Sequence, residues 1–177
     1  MGGLTWRLAE PSDIPALQAV MAAAIGELQK GFLSPAQIES SRMIMGLDSQ
    51  LVADGTYFMI EADGQVAGCG GWSRRATLYG GDHTPGREPA LLDPATDAAR
   101  VRAMYTHPSF ARRGVGRLIL ELCEAAAKAA GFKRLELMGT MSGRPLYESY
   151  GFQPLEDILD DRGGEPVPLT RMGKTIL

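Results

Sequence analysis

The sequence of residues 101–131 predicts a strand, a glycine-containing turn and a long helix in direct succession. The pattern of Val101 to Thr106 predicts a strand that ends at His107-Pro108. Gly114 to Ala130 then repeats apolar residues at helical spacing, and Gly131 is typical of a helix C-terminus. This succession limits the chain to folds that combine helices with a sheet.

The rest of the chain supplies further strands and helices in mixed order. Asp63-Gly64 separates two runs rich in strand formers and predicts a tight β-hairpin. Ser34 and Gln37 form a capping box around Pro35, and we expect that helix to continue to about Leu47. Ser12 is predicted to cap an earlier helix. Strands in both hairpin and helix-separated arrangement indicate a mixed α/β sheet.

Length and composition fit a single domain that spans residues 1–177. With 45% apolar and 22% charged residues the chain is not a disordered one, and a net charge of −3 argues against nucleic-acid binding.

Cys69 and Cys123 predict two buried thiols instead of a disulfide framework or metal site. Ile14 to Gly26 follows acidic residues and is too short to span a bilayer. We therefore expect a cytoplasmic protein without a membrane partner.

Residues 73–99 form a long stretch with no regular pattern. It contains Gly80-Gly81, Pro85-Gly86, Pro89 and Pro94, which interrupt helices and strands. A structureless loop of this length is uncommon in a compact domain unless it has a use. A functional flap and a simple surface excursion both remain open.

The turn before the long helix has the features of a phosphate-binding site. Main-chain N–H groups of such a turn point into one concavity, and the helix adds the positive end of its dipole. Gly114 and Gly116 lack a Cβ and allow a ligand close approach, while Arg112, Arg113 and Arg117 add three cations. The turn predicts a diphosphate site. A solvated turn before a surface helix is the alternative.

Two segments resemble motifs of a known family. Residues 108–120, with the core Arg-Arg-Gly-Val-Gly, resemble the acetyl-coenzyme A signature of the GNAT superfamily of N-acetyltransferases. Leu146 to Phe152 resembles that family's aromatic-Tyr-Glu-x-x-Gly-Phe segment after the fifth strand. The resemblance covers the order of elements from Leu4 to the end of the chain. It implies an acyl-CoA N-acyltransferase fold, with a mixed, mostly antiparallel sheet of about six to seven strands flanked by about four helices.

The resemblance also implies acetyl-coenzyme A as co-substrate and requires no metal ion. In this family the fourth strand pairs with the pantetheine arm and the turn amides bind the diphosphate. Tyr147 matches the tyrosine that often returns a proton to the departing thiolate, although a role as a core aromatic remains the alternative. The implied coenzyme-binding residues are Met104, Tyr105, Thr106, Arg112, Arg113, Gly114, Val115, Gly116 and Arg117.

The sequence departs from the family pattern at two places. Ala111 occupies the first position of the usual Gln/Arg-x-x-Gly-x-Gly/Ala pattern, so that side-chain contact is missing. Many members carry a glutamate base on or near the fourth strand, yet Val101 to Thr106 contains no carboxylate. The remaining candidates for a base, none of which the sequence singles out, are Glu61, Glu136, Asp97 and His107. The alternative for Glu136 is an ion pair with Arg102 across adjacent strands.

The activity implied by the resemblance is acetyl transfer from acetyl-coenzyme A to a primary amine of a small molecule or peptide, by direct attack in a ternary complex. We expect the loop at residues 73–99 to cover the acceptor side. A coenzyme A-binding regulatory module without transfer activity is the alternative, favoured by the missing carboxylate. The acceptor cannot be identified from the sequence. A homodimer is compatible with edge strands that need cover, without direct support.

Overall fold

The computed structural model describes residues 3–177, which form seven strands and five α-helices. The strands are β1 Thr5–Leu8, β2 Tyr57–Ala62, β3 Gln65–Ser73, β4 Ala99–Thr106, β5 Arg134–Thr140, β6 Gln153–Asp160 and β7 Val167–Thr175. The helices are α1 Ile14–Glu27, α2 Pro35–Ser41, α3 Ser49–Ala53, α4 Val115–Ala129 and α5 Arg144–Tyr150. All seven strands belong to one sheet in the order β1-β2-β3-β4-β5-β7-β6.

The sheet is antiparallel except at its centre, where β4 and β5 run parallel. These two strands pair at only two positions, Ala99 with Leu135 and Arg100 with Glu136. Beyond them the sheet opens into a cleft that both strands line. The predicted mixed, mostly antiparallel fold is confirmed, and the opening at its centre positions the candidate site.

Two apolar layers cover the two faces of the sheet. Because side chains alternate along a strand, Phe58 of β2 packs with the α4 layer and Tyr57 packs with the α1 layer. Cys123 lies in the first layer and Cys69 in the second. Both thiols are buried and unpaired, as predicted. Burial of both layers supplies the main driving force for this arrangement.

The local signals in the sequence are confirmed at the hairpin and at the α2 N-terminus. Asp63 and Gly64 both have positive φ, 53° and 74°, as a tight hairpin turn requires. Ser34 Oγ accepts a hydrogen bond from the Gln37 N–H, and Gln37 Oε1 accepts one from the Ser34 N–H.

Two predicted helix boundaries are wrong. The helix ends at Ser41 instead of about Leu47. Gly46, at a φ of +131°, lies outside the helical range, and Asp48 caps the separate helix α3. Ser12 is not a cap. It lies within a single 3₁₀ turn, and the Asp13 carboxylate accepts the Glu10 N–H at 2.7 Å instead.

Residues 74–98 contain no helix or strand, as predicted, but several contacts connect them to the end of α3 and to the region of β6. Arg75 pairs with Asp54 at 2.7 Å, and the Tyr79 hydroxyl donates to Asp160 at 2.7 Å. Arg162 donates to the main-chain carbonyl of Pro85. Within residues 3–177, no helix combines the length and the apolar character needed to cross a membrane.

Candidate functional site

The cleft between β4 and β5 belongs to a cavity of about 630 Å³. Its walls come from the C-terminal halves of these two strands, the turn before α4 and the start of α5. The end of α1 and parts of residues 28–46 complete the wall. The volume lies within the usual range of small-molecule and cofactor sites. Every predicted coenzyme residue except Arg113 lines this cavity, and so does Tyr147.

A β-bulge interrupts β4 where it borders the cavity. Cys69 of β3 pairs with Tyr105 and Gly71 pairs with Arg102, so Gly70 alone faces both Ala103 and Met104. Ala103 has a φ of +49°, an uncommon conformation for a residue with a Cβ. The bulge changes the direction of the main-chain groups of β4 beside the cavity.

The glycine at position 70 allows helix α4 to lie close behind this bulge. A Cβ on Gly70 would lie 2.7 Å from Ile119 Cγ2 and 2.9 Å from Met104 Cγ. Any larger residue would push the helix away from β4. The glycine-rich end of β3 therefore brings the N-terminus of α4 to the edge of the cleft.

The turn before α4 adopts the conformation expected of an anion-binding loop. Arg112 and Gly114 both have positive φ, 60° and 86°, and Gly114 caps the helix. The first N–H groups of a helix have no partner within the helix, so they are available to a ligand. A Cβ on Gly116 would lie 2.5 Å from Leu146 Cδ2, so a larger residue there would displace the Leu146 side chain. Arg112 and Arg117 line the cavity and add positive charge to this end.

The side chain of Arg113 points elsewhere. Its guanidinium lies over the Phe110 ring, 5.0 Å from the ring centroid, and pairs with Asp63 at 3.6 Å. Arg113 is not among the residues that line the cavity. A role for this residue in coenzyme binding is thus restricted to its main-chain N–H group.

Tyr147 lies on α5 at the cavity wall. Its ring contacts Phe152 edge-on, with 6.2 Å between centroids, and its hydroxyl bonds to no other group of residues 3–177. Burial raises the pKa of Tyr147 to about 12. The phenol is therefore protonated at neutral pH and can donate a hydrogen bond or a proton into the cavity.

A buried ion pair connects β4 to the long loop. The Arg102 guanidinium, 2% exposed, donates to Asp48 at 3.0 Å and to the Gly80 carbonyl at 2.7 Å. Asp48 also accepts from Arg87 at 3.0 Å. Through these bonds Gly80 and Arg87 of the long loop are connected to Arg102 of β4. Removal of one partner would leave an uncompensated buried charge.

The predicted pair between Glu136 and Arg102 is wrong. Parallel pairing of β4 with β5 aligns Glu136 with Arg100 instead, and the two side chains approach to 3.8 Å. A closer partner of Glu136 is Arg171 on β7, at 2.8 Å. Arg102 lies two residues further along β4, where it reaches Asp48.

None of the candidate bases lines the cavity. Glu61 pairs with Arg7 at 3.0 Å, and Asp97 accepts the Asp93 N–H at 2.7 Å. His107 accepts the Ser109 N–H through its ring nitrogen. The charged side chains that residues 3–177 contribute to the wall are three arginines, at positions 102, 112 and 117.

The structure adds a wall that the sequence analysis did not identify. It comes from the end of α1 and the segments that follow, together with Tyr79 and Gly80 of the long loop. Two residues of the loop therefore border the cavity. That the loop covers the acceptor side stays a prediction. A signal for this wall was present in the sequence, since Phe32 follows Leu28, an apolar residue at the end of the α1 stripe, at helical spacing. Phe32 is 51% exposed.

Comparison with known proteins agrees with this geometry. The family model of the acetyltransferase (GNAT) domain matches residues 53–154. The uncharacterized N-acetyltransferase YsnE of Bacillus subtilis (strain 168) is 27% identical over 121 residues, which are 66% of this chain and 68% of YsnE.

Solved structures with the same fold include two other acetyltransferases. A GCN5-related N-acetyltransferase from Rhodopseudomonas palustris has a TM-score of 0.72 at 20% identity, over 99% of this chain and 97% of that one. The PaiA N-acetyltransferase from Thermoplasma acidophilum, in complex with coenzyme A, has a TM-score of 0.64 at 14% identity, over 98% of this chain and 99% of that one. The segment that the family model matches, residues 53–154, runs from the end of α3 to the start of β6. It contains the β4–β5 cleft, the turn before α4 and Tyr147. The resemblance noted in the sequence is confirmed, and the chain belongs to the GNAT acetyltransferase family.

Proposed function

We propose that this protein transfers an acetyl group from acetyl-coenzyme A to an amine by direct attack within a ternary complex. The observation that carries the proposal is one continuous cavity, which joins the β4–β5 cleft, the turn at residues 112–117 and the Tyr147 phenol. An anion-binding turn, an open strand edge and a proton donor are the three parts that such a reaction needs from the protein.

The residues present fit a coenzyme A thioester. The turn offers unpaired N–H groups at the start of α4, with Arg112 and Arg117 beside them, for the diphosphate. Met104, Tyr105 and Thr106 present main-chain groups along the open edge of β4 for the amide groups of the pantetheine arm. Coenzyme A in the complex of the PaiA relative supports this choice of ligand.

Bound acetyl-coenzyme A supplies an acetyl carbon that bonds to the amine nitrogen as the C–S bond breaks, with the electron pair leaving on sulfur. The Tyr147 hydroxyl donates its proton to that sulfur, and then regains one from water. A main-chain N–H of β4 beside the bulge donates to the acetyl oxygen. The amine loses its proton to water, because the charged side chains on the wall are arginines.

A coenzyme A-binding regulatory module is the second candidate. It is favoured because, within residues 3–177, no Asp or Glu lines the cavity to serve as a general base. Both candidates bind the coenzyme, and only the enzyme uses an amine. Release of the coenzyme thiol with and without a panel of amines, followed by mass spectrometry of the products, distinguishes them. We expect amine-dependent thiol release with an acetylated product. Slow release that no amine accelerates would favour the regulatory module.

A further inference from the structure

The two faces of the sheet contribute different surfaces to the cavity. The turn that binds the diphosphate in the proposed function leads into α4, whose first residue, Val115, packs in the α4 layer. Leu28, just after α1, packs in the layer on the opposite face. Since the cleft opens between two strands, an acceptor can reach the thioester from the α1 side while the coenzyme occupies the other. The apolar and aromatic side chains that line the cavity there from outside the sheet and keep accessible surface form what we call the α1-side wall: Leu28, Phe32, Met45 and Tyr79.

The α1-side wall offers a ligand an apolar surface. Three of its members have hydrocarbon or thioether side chains, which form no strong hydrogen bond. The hydroxyl of the fourth, Tyr79, is already bonded to Asp160 at 2.7 Å. Gln29 also borders the cavity but is only 3% exposed, so it offers a ligand almost no surface. Covering such a wall with the apolar part of a ligand is favourable, because it removes apolar surface from water.

Phe32 is the most exposed member of this wall. It is 51% exposed although it lines the cavity. A large apolar side chain that is both exposed and part of a ligand cavity marks a surface that binding can cover. Met43, on the other side of α2, is 41% exposed but does not line the cavity. The two residues therefore form a matched pair, of which Phe32 alone contacts an acceptor in the cavity.

Hydrogen bonds hold the segment that carries Met45 in place. The Gly46 N–H donates to the Tyr105 hydroxyl of β4 at 2.8 Å. On the opposite side, the Thr84 hydroxyl of the long loop donates to the Met43 carbonyl at 2.7 Å. The segment is thus fixed both by the sheet and by the loop, so the wall keeps its shape without a contact to the acceptor. A preformed site of this kind selects ligands by their fit and polarity.

The cavity offers no negative partner to a second charged group on the acceptor. Within residues 3–177, the charged side chains that line it are arginines. An ammonium group placed against apolar side chains without a carboxylate loses its hydration and gains no ion pair. The reacting amine avoids this cost because it attacks in its neutral form. A second ammonium group on the same molecule does not avoid it.

We propose that the acceptor is a small monoamine with an apolar body, and that Phe32 determines the preference for it by contact with that body. This inference rests on the proposed function and adds to it the acceptor class and a specificity-determining residue. Molecules with two or more ammonium groups are poor acceptors. Longer apolar amines are better acceptors than short ones, because each methylene that the wall covers adds to binding.

The acceptor class is tested with alkylamines of similar basicity, each with a pKa of about 10.4. n-Hexylamine and 1,5-diaminopentane have the same length and differ by a terminal methyl group against a second ammonium group. With saturating acetyl-coenzyme A, we expect kcat/KM for n-hexylamine to exceed that for the diamine by at least about tenfold. From ethylamine to n-hexylamine, kcat/KM should rise by about three- to fourfold per methylene that the wall covers. A diamine used as well as n-hexylamine, or no rise with chain length, would overturn the proposed class.

The role of Phe32 is tested by the ratio of kcat/KM for n-hexylamine to that for ethylamine. Phe32→Ala should lower this ratio by about tenfold, because the shortened side chain no longer covers the distant methylenes. Phe32→Leu keeps an apolar group of intermediate size and should retain part of the ratio. Met43→Ala is the matched control and should keep the wild-type ratio. The same ratio in Phe32→Ala as in the wild type would overturn the role of Phe32.

A binding measurement separates this inference from the proposed function. Thermal unfolding is followed with coenzyme A alone, and with coenzyme A plus either n-hexylamine or 1,5-diaminopentane. n-Hexylamine should raise the midpoint further than the diamine does in the wild type and in Met43→Ala, with a smaller difference in Phe32→Ala. Equal shifts with the two amines would overturn the acceptor class. Coenzyme A binding and a preference for n-hexylamine, without transfer to any amine, would instead overturn the proposed function alone.

Discussion

The Tyr57 hydroxyl donates a hydrogen bond to the main-chain carbonyl of Ala103, with 2.6 Å between the two oxygens. Ala103 is the bulged residue of β4, at a φ of +49°. Burial raises the pKa of Tyr57 well above its usual value, so the phenol remains a donor at all physiological pH values. This bond fixes the strained main chain that borders the cavity, and it links the core of the α1 layer to the site.

Tyr57→Phe should lower both stability and turnover. The Ala103 carbonyl would lose its donor, which costs about 1–2 kcal/mol of the free energy of unfolding. A small displacement of the bulge should reduce kcat by roughly tenfold, with little change in the dissociation constant of coenzyme A. Urea unfolding and steady-state kinetics measure the two effects.

The control for Tyr57→Phe is Cys123→Ala, which removes a buried group from the opposite layer without touching the bulge. It should cost stability while kcat is retained. An equal loss of kcat in both variants would mean that turnover follows stability alone.

Arg112 and Arg113 are adjacent in sequence but should contribute differently to coenzyme binding. The Arg112 side chain lines the cavity, whereas Arg113 is held by Phe110 and Asp63. Arg112→Ala should weaken coenzyme A binding by about tenfold or more at low salt, since contacts to charged groups contribute about 1.5–3 kcal/mol. Arg113→Ala should change it by much less. Calorimetric titration at two salt concentrations checks this, and equal effects would contradict the assignment of the turn.

Tyr147→Phe should lower kcat by on the order of 10²-fold and leave coenzyme A affinity nearly unchanged, because in the proposed reaction the phenol protonates the departing sulfur. Its pKa of about 12 keeps it protonated, so wild-type kcat should not fall through loss of this proton below about pH 10. Tyr150→Phe is the matched control. Tyr150 stacks on Phe152 and does not line the cavity. Equal kinetics of the two variants would remove Tyr147 from the reaction.

Acid should destabilise the protein partly through Asp160, which connects β6 to the long loop. Burial alone would raise the pKa of this carboxyl, but hydrogen bonds from Arg162 and Tyr79 outweigh burial and lower it to about 2. A lowered folded-state pKa gives stability above about pH 4 that is lost as the pH falls towards 2. The contribution amounts to at most about 2 kcal/mol.

Unfolding free energies of the wild type and Asp160→Asn between pH 2 and 6 test this contribution. The difference between the two proteins should shrink as the pH falls from about 4 to about 2. Asp161→Asn, at an exposed neighbouring position, should follow the wild type. A difference that is constant with pH would show that the Asp160 charge does not stabilise the fold.

Features fixed by nearby residues were predictable from the sequence. The hairpin at Asp63-Gly64, the cap at Ser34 and the turn at residues 112–117 depend on residues within a few positions of one another. The resemblance carried by two family motifs then predicted the mixed, mostly antiparallel sheet, and it named Tyr147 as a candidate site residue. The positions of the two cysteines followed from their apolar surroundings and the lack of other thiols.

Features that need contacts between distant segments were not predictable. The bulge at Ala103 depends on Tyr57, 46 residues away, and Arg102 finds Asp48 at a separation of 54 residues. The pair of Glu136 with Arg102 was predicted wrongly because the sequence does not give the register of β4 against β5.

The central claim is that a coenzyme A thioester binds in the β4–β5 cleft, with its diphosphate on the turn before α4. A thermal-shift titration with acetyl-coenzyme A, coenzyme A, ATP and NAD tests it most directly. A ligand at one hundred times its dissociation constant stabilises a folded protein by about 2.7 kcal/mol, a rise of several degrees for a domain of this size. We expect such a rise with the two coenzyme A species alone. No rise, or an equal rise with ATP and NAD, would contradict it.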